Sequence, residues 1–370
     1  MKKFTILIAA LALVCFAVPA MAVDWNFYGN ARMATYYVSE DKADTKKTDL
    51  QWDLQGNSRV GATVKAENIN ARFEFGVTES NVSSRRLYGV WNFGSGWMKV
   101  GKDYTPVDQF ISGQVFDGDL GLLGIGTQYG GRHGQIAFGF GNFEIALINP
   151  DDGLLDGMTD TVTGVINVAP ANPGDPSVPV VSSIDTESNG NPKNIIPKIA
   201  AKWGMSFDAW NFNLMGGFNY YSIADVESDV KTGKTNDVEV TSYTLGGDVG
   251  FNFGPGYVKA AVSYGSNIGN AGWGIPGAAY GDGGNSGSGG LAYWDGDDDT
   301  NDTTTFMGAL VGGIKVSDML SFEGGFGMRQ DATDGGGPRN TAPWAAYVQS
   351  VIALAPGVYI IPEVGYYDFD

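Results

Sequence analysis

Trp25-Asn26-Phe27-Tyr28-Gly29-Asn30-Ala31-Arg32-Met33-Ala34-Thr35-Tyr36-Tyr37 is two sequences interleaved. Odd positions read Trp, Phe, Gly, Ala, Met, Thr, Tyr; even positions read Asn, Tyr, Asn, Arg, Ala, Tyr. Successive side chains of a β-strand point to opposite faces, so this period of two predicts a strand with one apolar and one polar face. The next stretch repeats it: Trp52, Leu54, Val60, Ala62 and Val64 share one face, and Asp53, Gln55, Asn57, Arg59 and Lys65 the other.

Fifteen such segments run along the chain, at about 25–37, 50–66, 70–79, 85–93, 96–103, 133–140, 142–149, 195–207, 210–223, 239–253, 256–266, 304–316, 320–331, 342–354 and 357–368. Many have 9–14 residues, the length with which a tilted strand crosses a bilayer. Strands of soluble proteins cluster near five or six residues. The connections alternate between short turns, such as Gly94-Ser95, Asp208-Ala209, Gly254-Pro255 and Ala355-Pro356, and long loops at 38–49, 104–132, 150–194, 224–238, 267–303 and 332–341. The connection at 80–84 is the short exception on the long side. This layout predicts an all-β fold, a transmembrane antiparallel β-barrel over residues 23–370. Closure follows from the solvent, because hydrocarbon offers no partner to an unpaired strand edge.

The polar face carries Arg32, Arg59, Arg72, Arg86, Lys198, Lys202, Lys315 and Arg329, with Asp53, Glu74, Asp248, Glu323 and Glu363. So many charges do not fit a dry core. They predict a wet lumen lined by these residues and an outer face turned to lipid.

The first 22 residues stand apart. Lys2 and Lys3 precede an apolar run from Phe4 to Val18, and Ala20-Met21-Ala22 supplies small residues for cleavage, the pattern of a secretory signal peptide. Cys15, the only cysteine, lies inside it, so the remaining chain is expected to fold without disulfides. The formal net charge is −18. Lys2 and Lys3 are the only charges of the leader, so the rest carries −20, which argues against nucleic acid as a partner. With 55 Gly and 12% aromatic residues, the composition suits short strands joined by glycine-rich turns.

The stretch from Asn57 to Pro106 resembles the general porins of Gram-negative bacteria, a family of trimeric 16-stranded barrels. Asn57-Ser58-Arg59-Val60-Gly61 is similar to that family's second strand. Arg86-Leu87-Tyr88-Gly89, Phe93-Gly94 and Gly101-Lys102-Asp103-Tyr104-Thr105-Pro106 resemble its fourth and fifth. The resemblance implies that the loop at about 104–132 folds inward as a constriction, its acids facing arginines on the wall. The matching residues are Asp117 and Asp119 on the loop and Arg59, Arg86 and Arg132 on the wall. Arg132 shares its parity with apolar Ile136 and Phe138, so it reaches the lumen only if Gly134 marks a bulge. The resemblance also implies a homotrimer in outer-membrane lipid and lipopolysaccharide, although the 80–84 connection is shorter than the loop with which that family latches onto a neighbour.

No catalytic constellation emerges. His133 is the only histidine and has no serine motif beside it, so no enzyme and no cofactor are expected. Asp295, Asp297, Asp298, Asp299 and Asp302 form an acidic run without the spacing of a calcium loop. It reads as solvated loop, with a weak Ca²⁺ or Mg²⁺ site as the second reading. The functional expectation is a porin for passive diffusion of small polar solutes and ions. Two alternatives stay open: a substrate-specific, sugar-type channel, because Tyr28, Tyr36, Tyr88, Tyr221, Tyr347 and Tyr359 share the polar face, and a structural or adhesive barrel with a plugged lumen. Ion selectivity is left open between a basic wall and acidic loops. An odd count of fifteen strands further predicts either that a closing sixteenth strand lies beyond Asp370 or that 104–132 or 267–303 holds one more strand.

Overall fold

The structure is a computed structural model that describes residues 23–42, 45–150, 159–168, 178–187, 191–229, 234–274, 289–294, 300–334 and 342–368. The expected leader at 1–22 and the acidic run Asp295, Asp297, Asp298 and Asp299 lie outside the described residues. The chain forms two compact units, one built from residues up to Asp103 with Phe138–Gly141, the other from Tyr104–Ala137 and from Asn142 onward.

In the first unit, β1 (Asp24–Asn30), β2 (Met33–Lys42), β3 (Thr45–Leu54) and β4 (Arg59–Lys65) make one long interrupted hairpin. β1 pairs antiparallel with β4, Trp25 opposite Val64, and β2 with β3, Met33 opposite Leu54. The interruption leaves two residues on one side and four on the other, and is bridged by Gln55 N–H to Arg32 O (2.9 Å) and Arg32 N–H to Ser58 Oγ (3.0 Å). β5 (Ile69–Val77), β6 (Val82–Asn92) and β7 (Trp97–Tyr104) continue the ladder, each antiparallel to the one before.

β8 (Arg132–Phe140) and β9 (Phe143–Ile148) follow the long loop. β10 (Thr159–Val168) and β11 (Val178–Glu187) pair as a hairpin inside the segment expected to be loop. β12 (Asn191–Lys193), β13 (Lys198–Ser206), β14 (Trp210–Asp229), β15 (Lys234–Phe253) and β16 (Gly256–Ser266) come next. After the two-residue strands β17 (Tyr293–Trp294) and β18 (Thr300–Asn301) come β19 (Thr303–Lys315), β20 (Leu320–Thr333), β21 (Trp344–Ala355), β22 (Val358–Ile360) and β23 (Glu363–Asp368). In the second unit the antiparallel ladder runs β9, β13, β14, β15, β16, β19, β20, β21. β12 adds to β14, while β22 and β23 share the far side of β21.

Each of the fifteen expected segments falls on strand. The expected loop at 224–238 is shorter than predicted, because β14 and β15 extend into it as a hairpin of 20-residue strands.

Burial shows which face is which. Trp25, Phe27, Trp52, Leu87, Leu214, Leu245, Leu310 and Val348 are all exposed, Phe27 by 71%. Their strand neighbours on the opposite face include Glu74, Lys99, Asp103, Asn219, Glu323, Arg329 and Gln349, all buried. Such a surface is inverted relative to a soluble protein: each exposed side chain of this size would cost about 2 kcal/mol in water, which lipid does not charge. No helix among the described residues is long and apolar enough to cross a membrane; the strands carry the apolar face.

Candidate functional site

Two constellations occupy the polar faces. The first, on β1 and β4–β7, is a basic cluster around two carboxylates. Glu74, 1% exposed, accepts from Tyr28 Oη (2.9 Å), Arg72 Nη2 (2.7 Å) and Arg85 Nε (2.9 Å), with Arg59 Nη1 at 3.8 Å. Asp103 accepts from Arg86 Nε (2.7 Å) and Lys99 Nζ (3.1 Å). Arg59, Arg72, Arg85, Arg86 and Lys99 thus gather around these two acids. Arg59, Arg72 and Arg86 retain about a fifth of their side-chain surface. The Arg72 guanidinium also lies over the Tyr28 ring, 5.0 Å from its centroid.

The sequence reading places Arg59, Arg72 and Arg86 on this face, and the structure brings the three together. It omitted Arg85, because strict alternation sends Arg85 and Arg86 to opposite sides. A register shift supplies the reason: Glu74 pairs with Arg86 but Phe75 with Ser84, so Arg85 is an extra residue at a β-bulge. Both guanidiniums then reach carboxylates. The doubled arginine was the available signal.

The second constellation is the loop from Thr105 to Gly131, in the other unit. Asp108 clamps its base. One carboxylate oxygen accepts from Gly130 N–H (2.6 Å) and Gly131 N–H (3.2 Å), the other from Thr105 N–H (2.8 Å) and Thr105 Oγ1 (3.2 Å). Burial pushes the Asp108 carboxyl up to about 7 against the pull of these four donors. Fully buried Gln109 donates to the carbonyls of Gly247 (2.9 Å) and Val262 (3.2 Å) and accepts from Gln128 N–H (3.0 Å).

Two wall carboxylates hold the middle of the loop. Glu323 accepts from Gly113 N–H (2.8 Å), from Tyr347 Oη (2.6 Å), from Gln349 Nε2 (3.2 Å) and from Tyr257 Oη. Glu363 accepts from Gln114 Nε2 (2.7 Å), Val115 N–H (3.1 Å) and Phe116 N–H (3.0 Å). Ile111, Leu122 and Ile125 pack onto Ala261, Ala309, Val311, Ala345 and Tyr347. Gly126 touches the wall backbone so closely that a Cβ there would sit 2.6 Å from Gly327 Cα. The loop therefore covers the polar face of β15, β16, β19, β20, β21 and β23, opposite exposed Val262, Leu310, Phe326 and Val348.

At the loop's turn, Asp117, Gly118 and Asp119 all have positive φ (46°, 72° and 70°). The left-handed region costs a non-glycine residue about 1 kcal/mol, with aspartate among the more tolerant types. Burial raises the Asp117 carboxyl above its ordinary value.

The remaining predicted residues are dispersed. Arg132 lies over the Tyr104 ring at 5.2 Å and donates to its hydroxyl (3.3 Å); Gln135 and Ala137 of the same strand are buried while Ile136 is exposed. Arg32 sits at the hairpin interruption. Fully buried Lys198 donates to Ala271 O (2.9 Å). Lys202 stands opposite Glu144 and Met215. Lys315 pairs with Asp318 (2.7 Å) at an exposed turn. Arg329 pairs with Asp331 (2.9 Å) and donates to Gly124 O (3.2 Å) of the loop.

No family model and no curated protein sequence matches the chain. Solved structures do. The outer membrane channel DcaP of Acinetobacter baumannii superposes with a TM-score of 0.63 at 14% identity, over 93% of this chain and 90% of that one. OmpT of Vibrio cholerae, an outer membrane protein in trimer form, gives 0.56 at 15% identity, over 94% and 89%. Salmonella typhi OmpF gives 0.52 at 10% identity, over 94% and 91%. With strands that expose an apolar face and bury a charged one, the chain has the fold of the porin-type β-barrels of the bacterial outer membrane.

Proposed function

We propose that this protein is a non-enzymatic porin of the Gram-negative outer membrane, a water-filled channel for passive diffusion of small polar solutes and ions. The observation that carries the reading is the second constellation. A 27-residue loop, Thr105 to Gly131, is fastened to the charged face by neutral donors on Glu323 and Glu363, while the apolar face is left for lipid. In this reading Asp117, Asp119, Arg59 and Arg86 border the solute path as fixed charges. Ordered charges hold water and disfavour apolar solutes. The protein works as a homotrimer embedded in lipid and lipopolysaccharide.

Liposome swelling tests this. Proteoliposomes placed in isosmotic solutions of neutral sugars should swell at rates that fall smoothly with solute size. A rate that saturates with one sugar would favour the sugar-type channel. No swelling with any solute would favour a plugged lumen, a reading that gains from a second segment lying on the polar face.

A further inference from the structure

That second segment is residues 267–274, directly after β16. Ile268–Ala271 is one turn of 3-10 helix between two left-handed residues, Asn267 (φ 51°) and Gly272 (φ 64°). Asn267 is fully buried. It accepts from Thr303 N–H (2.8 Å) and donates to Thr241 O (3.0 Å) and Asp302 Oδ1 (2.6 Å). Asn270 accepts from Ala292 N–H (2.7 Å) and donates to Tyr221 Oη (3.1 Å), while Lys198 Nζ holds Ala271 O. The wall partners Lys198 and Tyr221 belong to the buried polar face, the side away from exposed Leu214 and Phe218. The segment is thus tied down on the same face that carries the loop.

Trp273 joins the two. Its carbonyl accepts from Tyr129 N–H of the loop (3.2 Å), and its side chain is completely buried. A Cβ on Gly217 of β14 would lie 2.6 Å from Trp273 Cζ2, and one on Gly130 of the loop 3.3 Å from Cδ1. The indole therefore fills a slot with a wall glycine on one side and a loop glycine on the other. Among the described residues its Nε1 has no hydrogen-bond partner. A buried indole without a partner for its N–H is held for its volume, not for a polar contact. Arg329 makes a second link: it donates to Gly124 O of the loop, and a Cβ on Gly274 would lie 3.4 Å from its Nη1.

We infer that residues 267–274 form a second constriction element and that Trp273 sets the size limit of the channel. It does so by wedging the loop at 105–131 in place while the segment itself occupies part of the lumen. This rests on the channel reading above.

The test is single-channel conductance and sugar size cut-off of the full-length protein in planar bilayers. Trp273→Ala should raise conductance roughly 1.5- to 2-fold, admit larger sugars and add open-channel noise. Trp273→Phe keeps an aromatic plate and loses no hydrogen bond, so it should stay near wild type. Lys198→Met removes the tether to Ala271 and should shift conductance in the same direction as Trp273→Ala. Heat-modifiable electrophoretic mobility reports folding, and if Trp273→Ala fails to fold, Lys198→Met decides by the same criterion. A conducting wild type with both variants at wild-type conductance and cut-off overturns this inference and leaves the channel reading intact. A folded wild type that never conducts overturns the channel reading and this inference with it.

Discussion

At the scale of single residues, the polar face is a set of shared charges. Arg59, Arg72, Arg85, Arg86 and Lys99 gather around Glu74 and Asp103. Replacing Arg59 and Arg86 together by glutamine should shift the reversal potential in a salt gradient towards cations, and an unchanged potential would remove both from the permeation path. Asp108 is the residue whose charge state matters most for the loop. Its folded value of about 7 lies above the ordinary 3.8, so the folded loop base binds a proton more tightly than the unfolded chain does. That contribution is complete below about 4 and is lost as pH rises through about 7. Amide exchange in 105–131, corrected for intrinsic rates, should accordingly slow as pH falls from 8 to 5. Asp108→Asn should flatten that dependence; equal slopes in both proteins would contradict the assignment.

Elements divide by how much of them is local. The strands were legible because alternation is written residue by residue, and the lipid solvent makes one face apolar along the whole strand. The β10–β11 hairpin was missed although Thr159–Val168 is rich in Thr and Val, because Pro, Gly, Asn and Asp around it signal loop. Arg85 was missed because a bulge breaks parity, and the doubled arginine alone does not say which way the extra residue turns. The loop's attachment was illegible for another reason: Gly113 and Glu323 lie 210 positions apart, and Gln114 and Glu363 lie 249 apart. Nothing in the neighbourhood of either pairs them. The two staples now allow a prediction. Glu323→Gln with Glu363→Gln replaces acceptors by groups that are half donor, weakening loop anchoring by about 2–4 kcal/mol. The double variant should fold and conduct with larger, noisier openings; quiet wild-type openings would show that the packing of Ile111, Leu122 and Ile125 suffices to hold the loop.

For the whole molecule, the inverted surface and the charged interior follow from one pattern that was readable at Trp25–Tyr37 and recurs to the last strands. What covers the polar face was not readable, because the covering segment leaves the strands and returns to partners far along the sequence. Current through a planar bilayer tests the central claim most directly. The account predicts stepwise conductance increments from purified, folded protein, persisting at low voltage and scaling with salt concentration. Folded protein that inserts into the bilayer and yields no steps at any salt concentration would contradict it.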